Sequence, residues 1–562
     1  MINPLNYKAT KSLSAFDLTH NFAVNYTSSI TLSSGSHSAK RLCFYGLFRS
    51  ASHVYSPKKS YYATRHLYHF VRPGWRRIAA TTEVPGLTLS AFQGPWRDAL
   101  VVVRVMEANM KTLLISRWAW LLVLVPLSFS FMIPSSVYGQ SPEPPDWFAG
   151  DAHVHRGIGC GRSNEAEMLT PPQLMEMMEA NNLAVVSVLA DAGNGEIKYA
   201  DQDLPMITGE DQRVSSPQRI LHWDAEWHYD PEGVTFERRV IGGHLILLGL
   251  KQGGQPFAEY TYPIIDWAKK QGGIAGFAHM QYLPFAFYPP PDGIPVSLDC
   301  CAPLEYPVEI ALGSASFLME DVHGGDSALQ AYYRILNTGF RPGFAAGTDY
   351  PCNDNEPLGT LLTYVRIPDG NLTYDRWIDG LAKGRTVVSR NAHNEFLDLK
   401  VNGTAQPGDE IRQEGNRPVQ VRVEWRSVGS DLGRIELVQN GSVVASKTAE
   451  VAPDSPAVFE TTLWFRRSGW LAARRMDWQT GHRTHTGAVF VIVNGAPIRA
   501  SAADARFFVE WIDNLFRQTS SGGDWGEYFS RDRAAAYKRY HEARKTFLER
   551  AAEGERTAVF MR

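Results

Sequence analysis

Residues 147–162 read WFAGDAHVHRGIGCGR. A short apolar run, Trp147 to Gly150, leads directly into Asp151, His153 and His155. If that run is a strand, the His-x-His pair stands at its C-terminal end with both imidazoles on one face, about 7 Å apart at the rise of an extended chain. Neutral imidazoles with nearby carboxylates are ligands of Zn, Mn and Fe. A bare His-x-His is more often loop chemistry, so its meaning depends on the residues downstream.

The downstream sequence alternates. Apolar runs rich in β-branched residues, LAVVSVLAD (183–191), VIGGHLILLGL (240–250), GGIAGFAH (272–279), YPVEIAL (306–312) and RPGFAAGTD (341–349), predict strands. Between them PPQLMEMMEANN (171–182), YTYPIIDWAKKQG (260–272) and SALQAYYRILNTG (327–339) carry helical spacing, the last two closing on Gly. Strands too apolar to be half exposed, alternating with helices, predict an α/β parallel sheet or barrel over 147–393. From 394 the pattern changes to short alternating runs bounded by Gly, Asn and Pro, with Asn440-Gly441 as a hairpin signal; this predicts an immunoglobulin-like β-sandwich to about residue 500. Residues 501–562 read as a polar helical tail packed on the outside.

The polar residues gather at strand ends. Asp191, His279 and Asp349 each close a run, and His244 lies within one. In a parallel α/β barrel the strand C-termini open on one face, which would bring these residues together with Asp151, His153 and His155. Other polar residues have blander readings: His222 and His228 as loop histidines, His323 without a role, His482 and His485 on the sandwich surface, and Arg385 and Arg390 as surface charges or stabilisers of an anionic transition state. The stretch MQYLPFAFYPPPDG (280–293) is the expected wall of a substrate pocket, because its prolines exclude a regular helix.

GDAHVH, a Glu followed by GGHLILLG, then GGIAGFAH, VEI and AAGTD form an ordered set that resembles the polymerase and histidinol phosphatase (PHP) superfamily, and within it the CehA/McbA-type metallohydrolases. The likeness covers about 147–400 and implies a distorted TIM-like (PHP-type) β/α barrel. It also implies that His153, His155 and Asp349 hold one metal, that Glu226 bridges, with Glu210 as competitor, and that His244 and His279 complete a second. Ala190-Asp191-Ala192 and Asp349-Tyr350-Pro351 stand where relatives carry a further histidine. The resemblance therefore implies two metals at most, Asp191 being a partner of a ligand histidine. The implied function is a metal-dependent hydrolase that activates water against an ester, amide or carbamate bond of a small molecule. A phosphoesterase is the alternative within the superfamily, and a non-catalytic surface-binding protein with a degenerate barrel the alternative from another class.

Charge is unevenly spread along the chain. Residues 1–139 hold 15 Lys/Arg against 4 Asp/Glu, a balance of +11, which leaves −14 for the rest of a chain of net charge −3. No basic excess outside that leader argues for nucleic acid. Lys111 and Arg117 precede an apolar run of 16 residues, Trp118 to Ile133, and small residues end at Gly139. This predicts a signal peptide at 110–139, too short to span a membrane, and export to a periplasmic or extracellular compartment. The 109 residues before Met110 show no sustained period and read as an unstructured or misassigned extension. Export permits disulfides among Cys160, Cys300, Cys301 and Cys352, in three possible pairings, or four free thiols.

Overall fold

The computed structural model describes residues 141–562 apart from 158–167, 195–199, 230–242, 283–302, 322–326, 353–356, 478–480, 524, 527–528 and 560–562, together with backbone strands between residues 48 and 105. The leader segment 110–139, His323 and the pocket wall beyond Tyr282 lie outside the described residues. The chain divides into two compact units, residues 1–135 and 136–562. In the first, Phe48–Ala51 pairs with Val54–Pro57, and Arg76–Ile78, Leu87–Gln93 and Ala99–Val105 form a second antiparallel sheet. None of those strands is longer than seven residues, too short to register as a sustained period in the sequence. Among the described residues no helix is long and apolar enough to cross a membrane.

The second unit is built on strands β1 (Trp147–Val154), β2 (Val185–Asn194), β3 (Ile220–Tyr229), β4 (Leu245–Leu248), β5 (Ile274–Phe277), β6 (Phe317–Glu320), β7 (Gly343–Ala346), β8 (Leu362–Arg366) and β9 (Thr386–Ser389). Their order is β7-β6-β5-β4-β3-β2-β1-β8-β9. β1, β2 and β3 run parallel, as do β5, β6 and β7, but β4 is antiparallel to both its neighbours and β8 is antiparallel to β1. The sheet is thus mixed, not parallel throughout. Its outer strand β7 is tied to β8 through one side chain: the Thr363 hydroxyl accepts from the Ala346 amide and donates to the Ala346 carbonyl, both at 2.8 Å.

Helices α1 (Pro171–Ala180), α2 (Ala200–Asp203), α3 (Tyr262–Lys270), α4 (Tyr306–Ala311), α5 (Ser327–Asn337) and α6 (Tyr374–Ala382) connect the strands. α1, α3 and α5 stand where the spacing places them, and Gly272 and Gly339, with φ of 88° and 92°, supply the left-handed residues after α3 and α5. α6 opens on Thr373, whose hydroxyl accepts from the Arg376 amide at 3.3 Å. It lays Trp377, Ile378 and Leu381 on a core with Val185, Leu189, Ile246, Leu248 and Val365. One expectation is corrected here. YPVEIAL is helix α4, where Pro307 in the first turn costs no hydrogen bond, and its Glu309 binds Arg539 at 2.5 Å. The strand in this part of the chain is instead β6, FLME, too short to show alternation.

Beyond residue 394 come β10 (Glu395–Val401), β11 (Glu410–Gln413), β12 (Pro418–Ser427), β13 (Asp431–Gln439), β14 (Ser442–Val451), β15 (Ala457–Trp464), β16 (Gly469–Asp477), β17 (Gly481–Thr486) and β18 (Val489–Val493). β10, β12 and β15 form a small antiparallel sheet over a core that includes Leu397, Val421, Trp425, Leu437, Leu471 and Val491. The β13–β14 hairpin turns on Asn440 and Gly441, both left-handed at φ 51° and 84°, as that dipeptide predicts. The facing strands are not separate from the α/β part: β17 pairs with β9, so one sheet runs through both. Helices α7 (Ala502–Thr519) and α8 (Arg533–Val559) bury Phe508, Trp511, Tyr540 and Phe547 in the main core and so are amphipathic, not a polar outer tail.

Candidate metal centre

Strand β3 shows how the chain builds the site. Its even residues, His222, Asp224, Glu226 and His228, share one face, while Trp223, Ala225 and Trp227 pack into the helix-side core. In register with β2, Asp191 stands beside Glu226 and Gly193 beside His228. β1 delivers His153 and His155 to the same edge, and His279 follows β5. Because β4 runs the other way, its first end lies at that edge, so His244, one residue before the strand, meets residues that leave their strands at the last.

The groups converge on the Glu226 carboxylate, which is buried. Its Oε2 lies 3.2 Å from His153 Nε2, 3.0 Å from His155 Nε2 and 3.2 Å from His228 Nε2. Its Oε1 lies 2.9 Å from His244 Nδ1 and 3.4 Å from His279 Nε2. Asp349 Oδ1 closes the first side at 3.3 Å from His153 Nε2 and 3.4 Å from His155 Nε2. Two overlapping groups result, His153/His155/Glu226/Asp349 and Glu226/His228/His244, whose donor atoms fall within 4.8 Å of one another. They can hold one or two metal ions.

The donor atoms fit a cation better than they fit each other. Nε2 of His153, His155 and His228 are buried and, despite these short approaches, none is aligned in a hydrogen bond; Oδ1 of Asp191 and Nε2 of His244 are likewise buried without one, while His244 turns its bonded Nδ1 to Glu226. Orphaned buried polar atoms are costly unless something else satisfies them. The electrostatics agree. Burial opposes ionisation of Glu226, Asp191 and Asp321, yet the surrounding histidines hold all three carboxyls below the usual carboxylate range. Burial likewise opposes a charge on His153 and His228, but Glu226 with Asp349 and Asp321 pushes His153 up to about 9, and Glu226 with Asp191 pushes His228 up to about 10. Buried negative charge here demands positive charge.

A second layer fixes the imidazoles. Asp321, directly after β6, places Oδ2 at 3.2 Å from His153 Nδ1 and 3.1 Å from His279 Nδ1, and accepts the His279 backbone N–H at 3.0 Å. That last bond holds His279 at φ 54°, a left-handed conformation that side chains other than Gly adopt at a cost. His155 Nδ1 donates to the Leu189 carbonyl at 3.1 Å, with Asp191 Oδ1 at 3.4 Å. Asp151 accepts from the His153 amide at 3.1 Å and from Thr348 Oγ1 at 2.6 Å, joining β1 to the turn that carries Asp349. Burial pushes the Asp151 carboxyl up to about 6.

The structure thus brings together His153, His155, Asp191, Glu226, His244, His279 and Asp349. It adds His228 and Asp321. His228 is no solvent-facing loop residue: the alternation of β3 turns it inward with Glu226, a signal available in DAEWH. Asp321 carried no such signal, because four residues of β6 do not alternate visibly. Glu210 is exposed on a loop, and His222 is buried elsewhere on β3, bonded to Asp211 at 2.9 Å and stacked on Tyr374. Arg390, His482 and His485 are buried between the α/β part and the sandwich and not on the surface: Arg390 and His482 bind Glu320, and His485 bonds to the Tyr333 hydroxyl at 2.6 Å. Cys352 is disulfide-bonded, and its partner lies outside the described residues.

No family model and no curated protein matches this chain. Among solved structures, the CARDB domain of the PF1109 protein from Pyrococcus furiosus is similar over 18% of this chain and 96% of its own, at 13% identity and a TM-score of 0.13 in its solution structure. The crystal form of that domain, in complex with di-metal ions, gives 12% identity and 0.14 over the same shares. An engineered protein covers 32% of this chain and 49% of its own at 14% identity and 0.13. Scores this low carry no argument about the site.

Proposed function

We propose that this chain is a metal-dependent hydrolase of PHP type with a binuclear centre, acting on an ester, amide or carbamate bond of a small molecule. The observation that carries the reading is the set of orphaned donor atoms around Glu226. In this reading the mixed sheet is a distorted barrel; His153, His155 and Asp349 would hold one divalent ion, His244 and His279 with His228 would hold the other, and Glu226 would serve both. Bound divalent ions supply Lewis acidity towards water and towards the oxygen of the scissile bond. The chain's own part is to fix the ligand imidazoles through Asp321 and the Leu189 carbonyl and the His153 backbone through Asp151, to keep the carboxylates ionised, and to bury the cluster so that charge is weakly screened.

Among the described residues, the state of two cations favours a carbonyl substrate over a phosphoester. Arg156, next to His155, donates to Asp203 at 2.6 Å, and Arg390 is committed to Glu320, so neither positive charge is left for a phosphoryl group. An exported location agrees with the leader sequence and with the disulfide at Cys352. Metal analysis of the purified protein, beside arylester and phosphoester hydrolysis, tests the reading. About two equivalents of Zn, Mn or Fe, lost with hydrolysis in a His153→Ala/His155→Ala variant, are expected; a wild-type protein that retains no metal at any loading sinks it.

A further inference from the structure

Strand β6 ends on Glu320 and Asp321 follows it directly; both carboxylates are buried, and they have separate partners. Asp321 holds the metal-centre imidazoles of His153 and His279. Glu320, one residue earlier, is held by a different pair of side chains, Arg390 and His482. Arg390, just past β9, makes a two-pronged contact, Nε to Oε1 at 3.1 Å and Nη2 to Oε2 at 2.7 Å. His482, on sandwich strand β17, donates from Nε2 to Oε1 at 2.9 Å. The Arg390 amide in turn donates to the Arg483 carbonyl at 2.7 Å, so the two clamps share one piece of ladder. All three side chains are buried, and burial of Glu320 is outweighed by Arg390 and His482, which hold its carboxyl at about 2.

We propose that Arg390 and His482 are positioning residues of the metal centre, with the sandwich setting the geometry of the ligand histidines through the Glu320-Asp321 pair. The inference rests on the hydrolase reading above. Its physical basis is that residues joined by one peptide bond cannot move independently: a shift of Glu320 along or across β6 carries Asp321 with it, and Asp321 orients one imidazole on each side of Glu226. The Glu320 carbonyl also accepts from the Gly347 amide at 3.0 Å, so the same shift reaches the turn that bears Asp349. Charge-assisted, two-pronged contacts are the kind that fix position most firmly.

The test uses the full chain loaded with Co(II), whose visible absorption reports ligand geometry, and a chelator titration. His482→Leu is expected to lower the chelator concentration that strips half the metal by about tenfold, the low end of the effect of outer ligand partners, and to alter the Co(II) spectrum. His482→Gln, which keeps a donor, is expected to restore both. Tyr333→Phe removes a neighbouring interface hydrogen bond without touching Glu320, and is expected to leave both unchanged. Should His482→Leu not fold, Arg390→Lys, which gives up one prong, is expected to lower chelator resistance by about threefold. A folded His482→Leu with wild-type resistance and spectrum overturns the inference, as does a Tyr333→Phe effect of equal size, which would mark general loosening of the interface. A wild-type chain that takes up no Co(II) defeats the hydrolase reading itself, an outcome distinct from either.

Discussion

Replacing Asp321 by Ala tests whether both halves of the metal centre hang on one carboxylate. Its Oδ2 faces Nδ1 of His153 at 3.2 Å and of His279 at 3.1 Å, so the substitution strips the outer partner from one imidazole on each side of Glu226. Loss of such a partner typically costs 10–100-fold in metal affinity, or about 1.4–2.7 kcal/mol at each ion. Because the two histidines approach different oxygens of Glu226, the proposed two-ion arrangement has the losses fall on both ions and not on one. The backbone N–H of His279 also loses its acceptor, which adds about 1–3 kcal/mol of destabilisation to the metal-free fold. Stepwise chelator titration with metal quantification reads the two affinities separately, and thermal melting of the chelated protein reads the fold. A variant that loses one ion while binding the other with wild-type affinity would refute the shared-carboxylate argument.

The same geometry sets three further outcomes. His228→Ala removes a member of the group with Glu226 and His244 and is expected to weaken the second ion by at least tenfold while sparing the first, read as a fall from about two equivalents towards one. In metal-free protein the protons on His153 and His228, whose values rise from 6.5 to about 9 and about 10, contribute stability that is full below about pH 6.5 and is lost as pH rises through those values. Melting temperature in chelator should therefore fall from pH 7 to pH 10 while metal affinity rises over the same range; a chelated protein more stable at pH 10 than at pH 7 contradicts this. Gly347→Ala would set a methyl 2.7 Å from His153 Cβ and 3.0 Å from Asp151 Oδ1, so it should reduce metal content with little change in the far-UV circular dichroism. Unaltered metal content in that variant would show that His153 can yield without losing its place.

Much of the site is legible in the sequence because ligand chemistry sits at the ends of apolar runs. His153, His155, His279 and Asp349 can be placed from strand-like segments alone, and their convergence needs only that the segments share a sheet. The direction of β4 is not legible: four apolar residues carry no arrow, and His244 reaches the site only because the strand is reversed. Short elements fail for the same reason, with β6 showing no pattern at all and α4 resembling a strand. His228 escapes notice because a histidine near a Gly- and Pro-containing segment resembles a loop residue until the ten-residue strand beneath it is seen. The buried state of Arg390, His482 and His485 depends on a partner surface far away in sequence, which no local pattern records.

The pairing of β9 with β17 bears on how the protein can be divided. A cut near residue 394 would leave β9 with a row of unanswered amides and carbonyls, an open edge ready to recruit another chain. It would also strand Glu320 in the interior without its His482 partner. A hinge between the two parts would have to break a ladder to open. The junction is a seam, and any fragment or fusion made from this chain should keep both sides of it.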